Sequence, residues 1–92
     1  MNTKICEICG KRMASETHHL IFGRGLRSLA DADGLTADIC KVCHDNIHNN
    51  GTAADLSQMY GQALWEINAL NDGVDQYEVR NKFRERYGRS WL

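Results

Sequence analysis

Nine consecutive residues that combine two kinds of metal ligand decide the fold of this chain, Cys40-Lys-Val-Cys43-His44-Asp-Asn-Ile-His48. Two thiols separated by two residues have the spacing of a zinc-binding pair. The two histidines are four residues apart, so in a helix they lie one turn apart on the same face. We therefore predict a helix from Lys41 to about Asn49 that presents sulfur at its start and imidazole along one side.

A second thiol pair, Cys6 and Cys9, precedes a glycine near the N-terminus and has the form of a zinc knuckle. The two pairs together predict one structural Zn²⁺ bound by four thiolates, Cys6, Cys9, Cys40 and Cys43. Two disulfides or four inert thiols are the alternatives. A chain of 92 residues forms one small domain, whose core is marginal without such a cross-link.

Composition and charge exclude some classes of protein. No apolar run approaches membrane-spanning length, and the N-terminus lacks the apolar stretch of a signal peptide, so we expect a cytoplasmic protein that does not enter a membrane. The formal net charge is −1, but positive charge is concentrated near the C-terminus, at Arg80, Lys82, Arg84, Arg86 and Arg89. That cluster predicts either a DNA-binding patch or a solvated helix face.

The single domain 1–92 divides at about residue 50 into a site module, 1–50, and a helical extension, 51–92. In the module, residues 17–22 and 35–39 read as two strands joined by a loop that contains Gly23, Arg24, Gly25 and Arg27.

The extension reads as two helices. The first has Thr52 as its N-cap and ends near Gly73, and its apolar stripe is Leu56, Met59, Tyr60, Ala63, Leu64, Ile67 and Leu70. Trp65 is opposite that stripe, so it is expected to meet the last helix, the C-terminal tail or a second subunit. The second helix starts in a capping box formed by Asp75 and Glu78, buries Val79, Phe83 and Tyr87, and ends before Gly88.

The histidines suggest chemistry. His18 and His19 are adjacent on a predicted strand, so their side chains point to opposite faces and have different roles. One can bind a metal ion while the other faces the place where a water attacks. Because four thiols suffice for the structural zinc, the histidines are free for a second, open metal site.

These residues resemble the HNH (His-Me finger) endonuclease family, especially its small phage members. The resemblance rests on the two Cys-x-x-Cys pairs, on His18-His19-Leu20-Ile21 and on Cys43-His44-x3-His48. It implies an α+β, zinc-stapled ββα-metal fold of treble-clef type followed by two C-terminal helices. It also implies that His18 and His44 bind the catalytic metal, that His48 is a third ligand or a phosphate contact, and that His19 is the general base. The family's middle asparagine has no counterpart, since Leu35 occupies its place; Asp31, Asp33 and Thr36 are the candidate replacements.

The function implied is one-metal hydrolysis of DNA phosphodiester bonds. Mg²⁺ or Mn²⁺ is the metal expected, although two or three imidazoles also suit Ni²⁺ or Zn²⁺. Arg24 and Arg27 are either phosphate ligands at the active site or plain surface residues. The partners expected are DNA and either a second copy of the chain or a phage protein, in the cytoplasm of the host cell. The alternative function is a zinc-finger adaptor that binds DNA or protein without catalysis.

Overall fold

The chain folds into a two-stranded sheet and four helices within residues 4–92, the part that the structure, a computed structural model, describes. The elements in chain order are β1 (Glu16–His19), α1 (Leu26–Ala32), β2 (Thr36–Ile39), α2 (Lys41–Asn49), α3 (Gly51–Asn71) and α4 (Val79–Tyr87). The predicted α+β class and the helix from Lys41 to Asn49 are confirmed. None of these four helices is both long and apolar enough to cross a membrane.

The sheet joins the N-terminal knuckle to α2. β1 and β2 are antiparallel, with His18 opposite Ala37 and His19 opposite Thr36. The amide of Ser15 donates to the carbonyl of Ile39 (3.0 Å), so the knuckle continues along the edge of β2. Because β2 leads directly into α2, the sheet fixes the knuckle relative to the first turn of that helix.

The segment between the strands was predicted to be a loop, and that prediction was wrong because it contains α1. The spacing of Leu26, Leu29 and Ala30 gives this short helix an apolar face that packs on the core. Gly25 and Gly34 flank it with φ of +78° and +71°, which lets the chain enter and leave the helix abruptly. The glycines on either side of this segment were interpreted as loop residues. In the structure they mark the two ends of a helix.

The long helix α3 faces the core with its polar side. Its buried residues are Ser57, Gln58, Gly61, Gln62 and Glu66, and its apolar stripe is largely exposed. The reason lies at Gly61, where an added Cβ would be 2.8 Å from Cγ1 of Ile21. Only a helix face with a glycine at its centre allows so close an approach to the end of β1. The N-cap is also different from the one predicted: Asn50, and not Thr52, accepts from the amide of Ala53 (3.0 Å).

Gln62 connects α3 to the C-terminal segment. Its amide nitrogen donates to Glu66 (2.7 Å) and to the Ser90 hydroxyl (2.8 Å), and its oxygen accepts from the amide of Trp91 (2.7 Å). These contacts explain how Gln62 is tolerated in the core, because both the nitrogen and the oxygen of its amide have partners.

α4 buries Val79, Phe83 and Tyr87 as predicted and ends at Gly88, whose φ is +82°. Trp65 packs against Phe83 with ring centroids 5.4 Å apart, so among the alternatives for Trp65 the last helix is the correct one. The capping box predicted for the start of α4 does not form. The Asp75 side chain accepts from the amide of Tyr77 (2.7 Å), and the N-cap residue Glu78 makes no side-chain capping hydrogen bond.

Candidate metal centres

The four cysteines form one cluster. One sulfur from each lies within 4.8 Å of the other three, and Cys9 Sγ and Cys40 Sγ are 4.0 Å apart. A tetrahedral ion with Zn–S bonds of about 2.3 Å requires sulfur–sulfur edges of about 3.8 Å, so the spacing suits zinc. A grouping of four is also what one metal site needs, whereas two disulfides would leave two separate pairs. The predicted four-cysteine grouping is therefore confirmed, and its chemistry is that of a structural zinc site.

Backbone amides are directed at the sulfurs. The amide of Ile8 donates to Cys6 Sγ (3.4 Å), and the amide of Cys43 donates to Cys40 Sγ (3.4 Å). Burial alone would raise the pKa of Cys6, but hydrogen bonds from the amides of Cys9, Cys40 and Ile8 lower it to about 6. Burial and the neighbouring sulfurs raise the pKa of Cys43 to about 12. A bound divalent cation would remove this difference in pKa between Cys6 and Cys43, because it deprotonates every thiol that it coordinates.

Three imidazoles form a second cluster along α2. One ring nitrogen each of His18, His44 and His48 lies within 4.8 Å of the others. His44 Nε2 and His48 Nε2 are 3.0 Å apart, and the His18 ring centroid lies 5.2 Å from that of His44. Tetrahedral Zn–N bonds of about 2.0–2.1 Å require nitrogen–nitrogen edges of about 3.3 Å, so small adjustments bring three nitrogens onto one ion.

The tautomer of His18 is determined by Ser57 on α3. The Ser57 hydroxyl donates its only proton to the carbonyl of Leu20 (2.8 Å), so its oxygen must accept from His18 Nε2–H (2.8 Å). The lone pair of His18 then resides on Nδ1. Burial, followed by the positive charge that His44 and His48 can carry, lowers the pKa of His18 to about 4. A neutral imidazole with a fixed lone pair is the form that binds a metal.

The tautomer of His44 is determined by Glu16 on β1. Both carboxylate oxygens of Glu16 lie 3.1 Å from His44 Nδ1, and because a carboxylate only accepts, Nδ1 carries the proton. The lone pair of His44 is therefore on Nε2, the atom that faces His48. A carboxylate behind a metal-binding histidine is the usual orienting arrangement.

The imidazole cluster is covered on one side and open on the other. Phe22 packs against His18 and His48, with ring centroids 5.6 and 5.4 Å away. His18 is buried, His44 is half-buried and His48 is exposed. This gradient leaves the cluster accessible from solvent at His48.

His19 lies outside this cluster, on the other face of β1. Its Nε2 is 3.3 Å from Asp31 Oδ1, and Arg27 and Ser28 line the same shallow surface. Of the three candidates for the missing asparagine, Asp31 is the one that contacts His19. Asp33 is instead bonded to Arg86 and Tyr87, and Thr36 is opposite His19 in the sheet. Arg24 is exposed between Gly23 and Gly25, in the turn before α1.

The C-terminal basic cluster is largely paired with other groups. Arg80 donates to Glu66 (2.8 and 3.1 Å), and Arg86 donates to both oxygens of Asp33 (2.6 and 2.7 Å). The guanidinium of Arg89 lies 4.6 Å from the centre of the Trp91 ring. These side chains hold α4 to α3 and α1, so fewer positive charges are available to DNA than the sequence indicates.

Sequence reasoning missed Glu16, Ser57 and Phe22. Glu16 had a readable signal, since it is two residues before His18 and so shares its face of the strand. Ser57 and Phe22 had none, because their contacts depend on how α3 and the segment after β1 pack.

A family comparison adds the context in which these centres occur. Residues 1–75 match DUF968, described as a protein of unknown function. The chain belongs to the DUF968 family. The DUF968 match includes both clusters and all of α3, and α4 lies beyond it. No curated protein and no solved structure matches the chain.

Proposed function

We propose that this DUF968 protein is a metal-dependent endonuclease of the HNH type that hydrolyses DNA phosphodiester bonds. The observation that carries the proposal is the cluster of His18, His44 and His48. A chain whose structural zinc site already has four thiols has no structural need for three converging imidazoles. Two of them have hydrogen-bond partners that leave a lone pair free for a metal.

The arrangement of elements supports a ββα-metal fold for this site. β1 supplies His18, β2 pairs with it and leads into α2, and α2 supplies His44 and His48. The thiol cluster at the start of α2 holds the knuckle, the sheet and the helix in one frame. Folding around the zinc would thus also set the positions of the three imidazoles.

The residues that would bind the catalytic ion are His18 through Nδ1, His44 through Nε2 and His48. When bound, the divalent ion supplies positive charge that stabilises the phosphorane and the departing 3′ oxygen. Three nitrogen ligands suit Mn²⁺, Ni²⁺ or Zn²⁺ better than Mg²⁺, which prefers oxygen.

His19 is the general base of the proposed reaction. It takes a proton from a water molecule whose oxygen attacks phosphorus, the bond from phosphorus to the 3′ oxygen breaks, and the departing 3′ oxygen takes up a proton from solvent. The products are a 5′ phosphate and a 3′ hydroxyl. Asp31 accepts a hydrogen bond from one nitrogen of His19, which leaves the lone pair on the other to receive the proton, so Asp31 takes the place of the family's asparagine.

Arg27 would bind the phosphate beside His19. It is on the first turn of α1 and shares a shallow surface with His19 and Asp31. Its guanidinium can donate two parallel hydrogen bonds to the non-bridging oxygens. Arg24, three residues earlier in the glycine turn, would be a second phosphate ligand.

A plasmid-nicking assay tests the proposal. Wild-type protein should convert supercoiled plasmid with added Mn²⁺ or Mg²⁺ and should be inactive in EDTA. His19→Ala should reduce cleavage by about 10²- to 10⁴-fold while binding metal and DNA normally, because a base acts in the transition state. Thr17→Ala, on the same face of β1, is the matched control and should keep full activity. Wild-type protein that never nicks DNA with any of these metals would refute the proposal.

One observation favours the second candidate, a non-catalytic zinc-binding adaptor. His19 is on the face of β1 opposite the imidazole cluster, so the two halves of the proposed active site are separated by the strand. An adaptor predicts DNA or protein binding that persists when His19 and His44 are both replaced by alanine, with no cleavage in any metal.

A further inference from the structure

The exposed face of α3 has an apolar pattern that packing within one chain does not use. Leu56, Tyr60, Ile67 and Leu70 are 57%, 45%, 54% and 40% exposed. They are on the side of the helix opposite the buried polar residues Gln58 and Gln62, and none of them contributes to the hydrophobic core cluster.

The spacing of this face is that of a helix-pairing seam. Leu56, Tyr60, Ala63, Ile67 and Leu70 follow one another in alternate steps of four and three residues along α3, and Ala53, which also packs against the core, continues the spacing at its N-terminal end. A repeat averaging 3.5 residues keeps one stripe facing a partner helix along its length. A helix that only covers a globular core has no need of such a stripe on its solvent side.

We propose that α3 pairs with α3 of a second copy in an antiparallel, two-fold symmetric dimer. The stripe is centred on the helix, so turning one copy around pairs Leu56 with another large residue and pairs Tyr60 and Leu70 each with an alanine. Leu56 then faces Ile67 of the partner subunit, Tyr60 faces Ala63 of the partner subunit, and Ala53 faces Leu70 of the partner subunit. Alanine opposite tyrosine and opposite leucine lets the helices interdigitate in the manner of a packed core.

Charge argues for a second copy over a membrane or a nucleic acid. The segment Gly51–Asn71 contains no lysine or arginine, which a helix that binds lipid head groups or phosphates requires. Its acidic residues Asp55 and Glu66 are outside the stripe, and Glu66 is neutralised by Arg80. Two copies of this face therefore meet without repulsion between like charges.

The size of the surface suits a dimer. An apolar groove lined by Ile8, Ile47, Leu56 and Tyr60 runs beside the N-terminal half of the stripe, near Ala53, where Leu70 of the partner subunit would enter. Pairing two helices of this length and covering both grooves buries on the order of 1,000 Å², which is the lower limit for a specific interface. The dimer does not depend on the proposed nuclease activity.

Analytical ultracentrifugation of charge variants tests whether the dimer forms and whether its two α3 helices are antiparallel. Wild-type protein should sediment as a dimer, and Leu56→Lys or Ile67→Glu alone should weaken dimerisation by at least about 100-fold, since each buries an unpaired charge. The double variant should regain the dimer, because antiparallel pairing places each lysine against a glutamate. Tyr77→Glu, which alters an 82% exposed tyrosine outside the stripe, is the control and should remain dimeric.

Zinc content and far-UV dichroism should stay at wild-type values in every variant, which separates loss of pairing from loss of folding. A dimer that the double variant does not restore would overturn the antiparallel arrangement, because parallel pairing places lysine against lysine. A single variant that stays dimeric, or a wild-type protein that stays monomeric at concentrations on the order of 100 µM, would overturn the proposal altogether.

Discussion

The thiol cluster and the imidazole cluster share α2 and differ in almost every other respect. The start of α2 supplies two of the thiols, and the cluster is buried except at Cys9, whereas one face of α2 supplies two of the imidazoles, and that cluster becomes more exposed from His18 to His48. The sulfurs accept from backbone amides of their own loops. His44 and His18 are oriented by side chains that are distant from them in sequence, Glu16 on β1 and Ser57 on α3.

In the function that we propose, this difference separates a structural centre from a catalytic one. A four-thiolate site is complete in itself and leaves no position for a substrate. Three imidazoles would leave at least one position open, and Ser57 and Glu16 determine the tautomers of His18 and His44. A ligand set that the rest of the fold holds in place is the kind that supports a reaction.

Loss of the thiol cluster should have the largest effect. Cys43→Ser removes one of four thiolates, and because metal binding and folding share one free energy in small metallodomains, the zinc and the near-UV dichroism of the protein should both be lost. Zinc analysis and dichroism measure this. Val42→Ser, at an exposed position between the two cysteines, should keep about one zinc per chain. A Cys43→Ser protein with native dichroism would mean that the cluster does not hold the fold.

Loss of an imidazole should leave the fold intact and remove the second metal. His44→Ala deletes one coordinate bond, so the protein should keep its zinc and its melting temperature within a few degrees but fail to nick plasmid DNA. Asn49→Ala, at an exposed site on the last turn of α2, is the matched control and should stay active. If His44→Ala unfolds instead, the two clusters do not differ in role.

Ser57→Ala should have an intermediate effect that reports on the orientation of the His18 ring. The variant frees the tautomer of His18 and leaves the carbonyl of Leu20 without its hydroxyl partner, so affinity for the second metal should fall by about 10- to 100-fold. Calorimetric titration of zinc-loaded protein with Mn²⁺ measures it. Ser28→Ala, exposed on α1, should change nothing. Equal affinities in wild type and Ser57→Ala would show that Ser57 does not act through His18.

Asp33→Asn should have the smallest effect and leave both clusters unchanged. Burial opposes ionisation of Asp33, but hydrogen bonds from Arg86 and Tyr87 outweigh it and hold the pKa of Asp33 below its ordinary value. A depressed pKa contributes stability above the unfolded value and loses it as pH falls through the folded value. The variant should thus be less stable by about 1–3 kcal/mol at neutral pH and nearly equal to wild type in acid. Urea unfolding at both pH values checks this, and a difference that persists in acid would exclude the ion pair as its source.

Sequence patterns predicted the parts of the fold that depend on interactions between residues close together in the chain. The bounds of α2, the end of α3 near Gly73 and the buried face of α4 were readable because caps and apolar spacing act within a few residues. The face that α3 buries was not readable. Its apolar stripe indicated one orientation, and the close approach at Gly61 together with hydrogen bonds from Gln62 determined the opposite one.

The same limit applies to the candidate site. The ligand types and the i, i+4 pair on α2 were visible in the sequence, and so was the separation of His18 from His19 by strand alternation. The placement of His19 beside Asp31, and the pairing of Arg80 and Arg86 with carboxylates, depend on contacts between distant segments.

Native mass spectrometry of zinc-loaded protein titrated with Mn²⁺ tests the central claim of two centres with different roles most directly. We predict that wild-type protein carries one zinc that resists mild chelation and takes up a second metal ion. The His44→Ala protein should carry the zinc alone. A wild-type protein that binds only one metal ion, or a His44→Ala protein that still binds two, would contradict the claim.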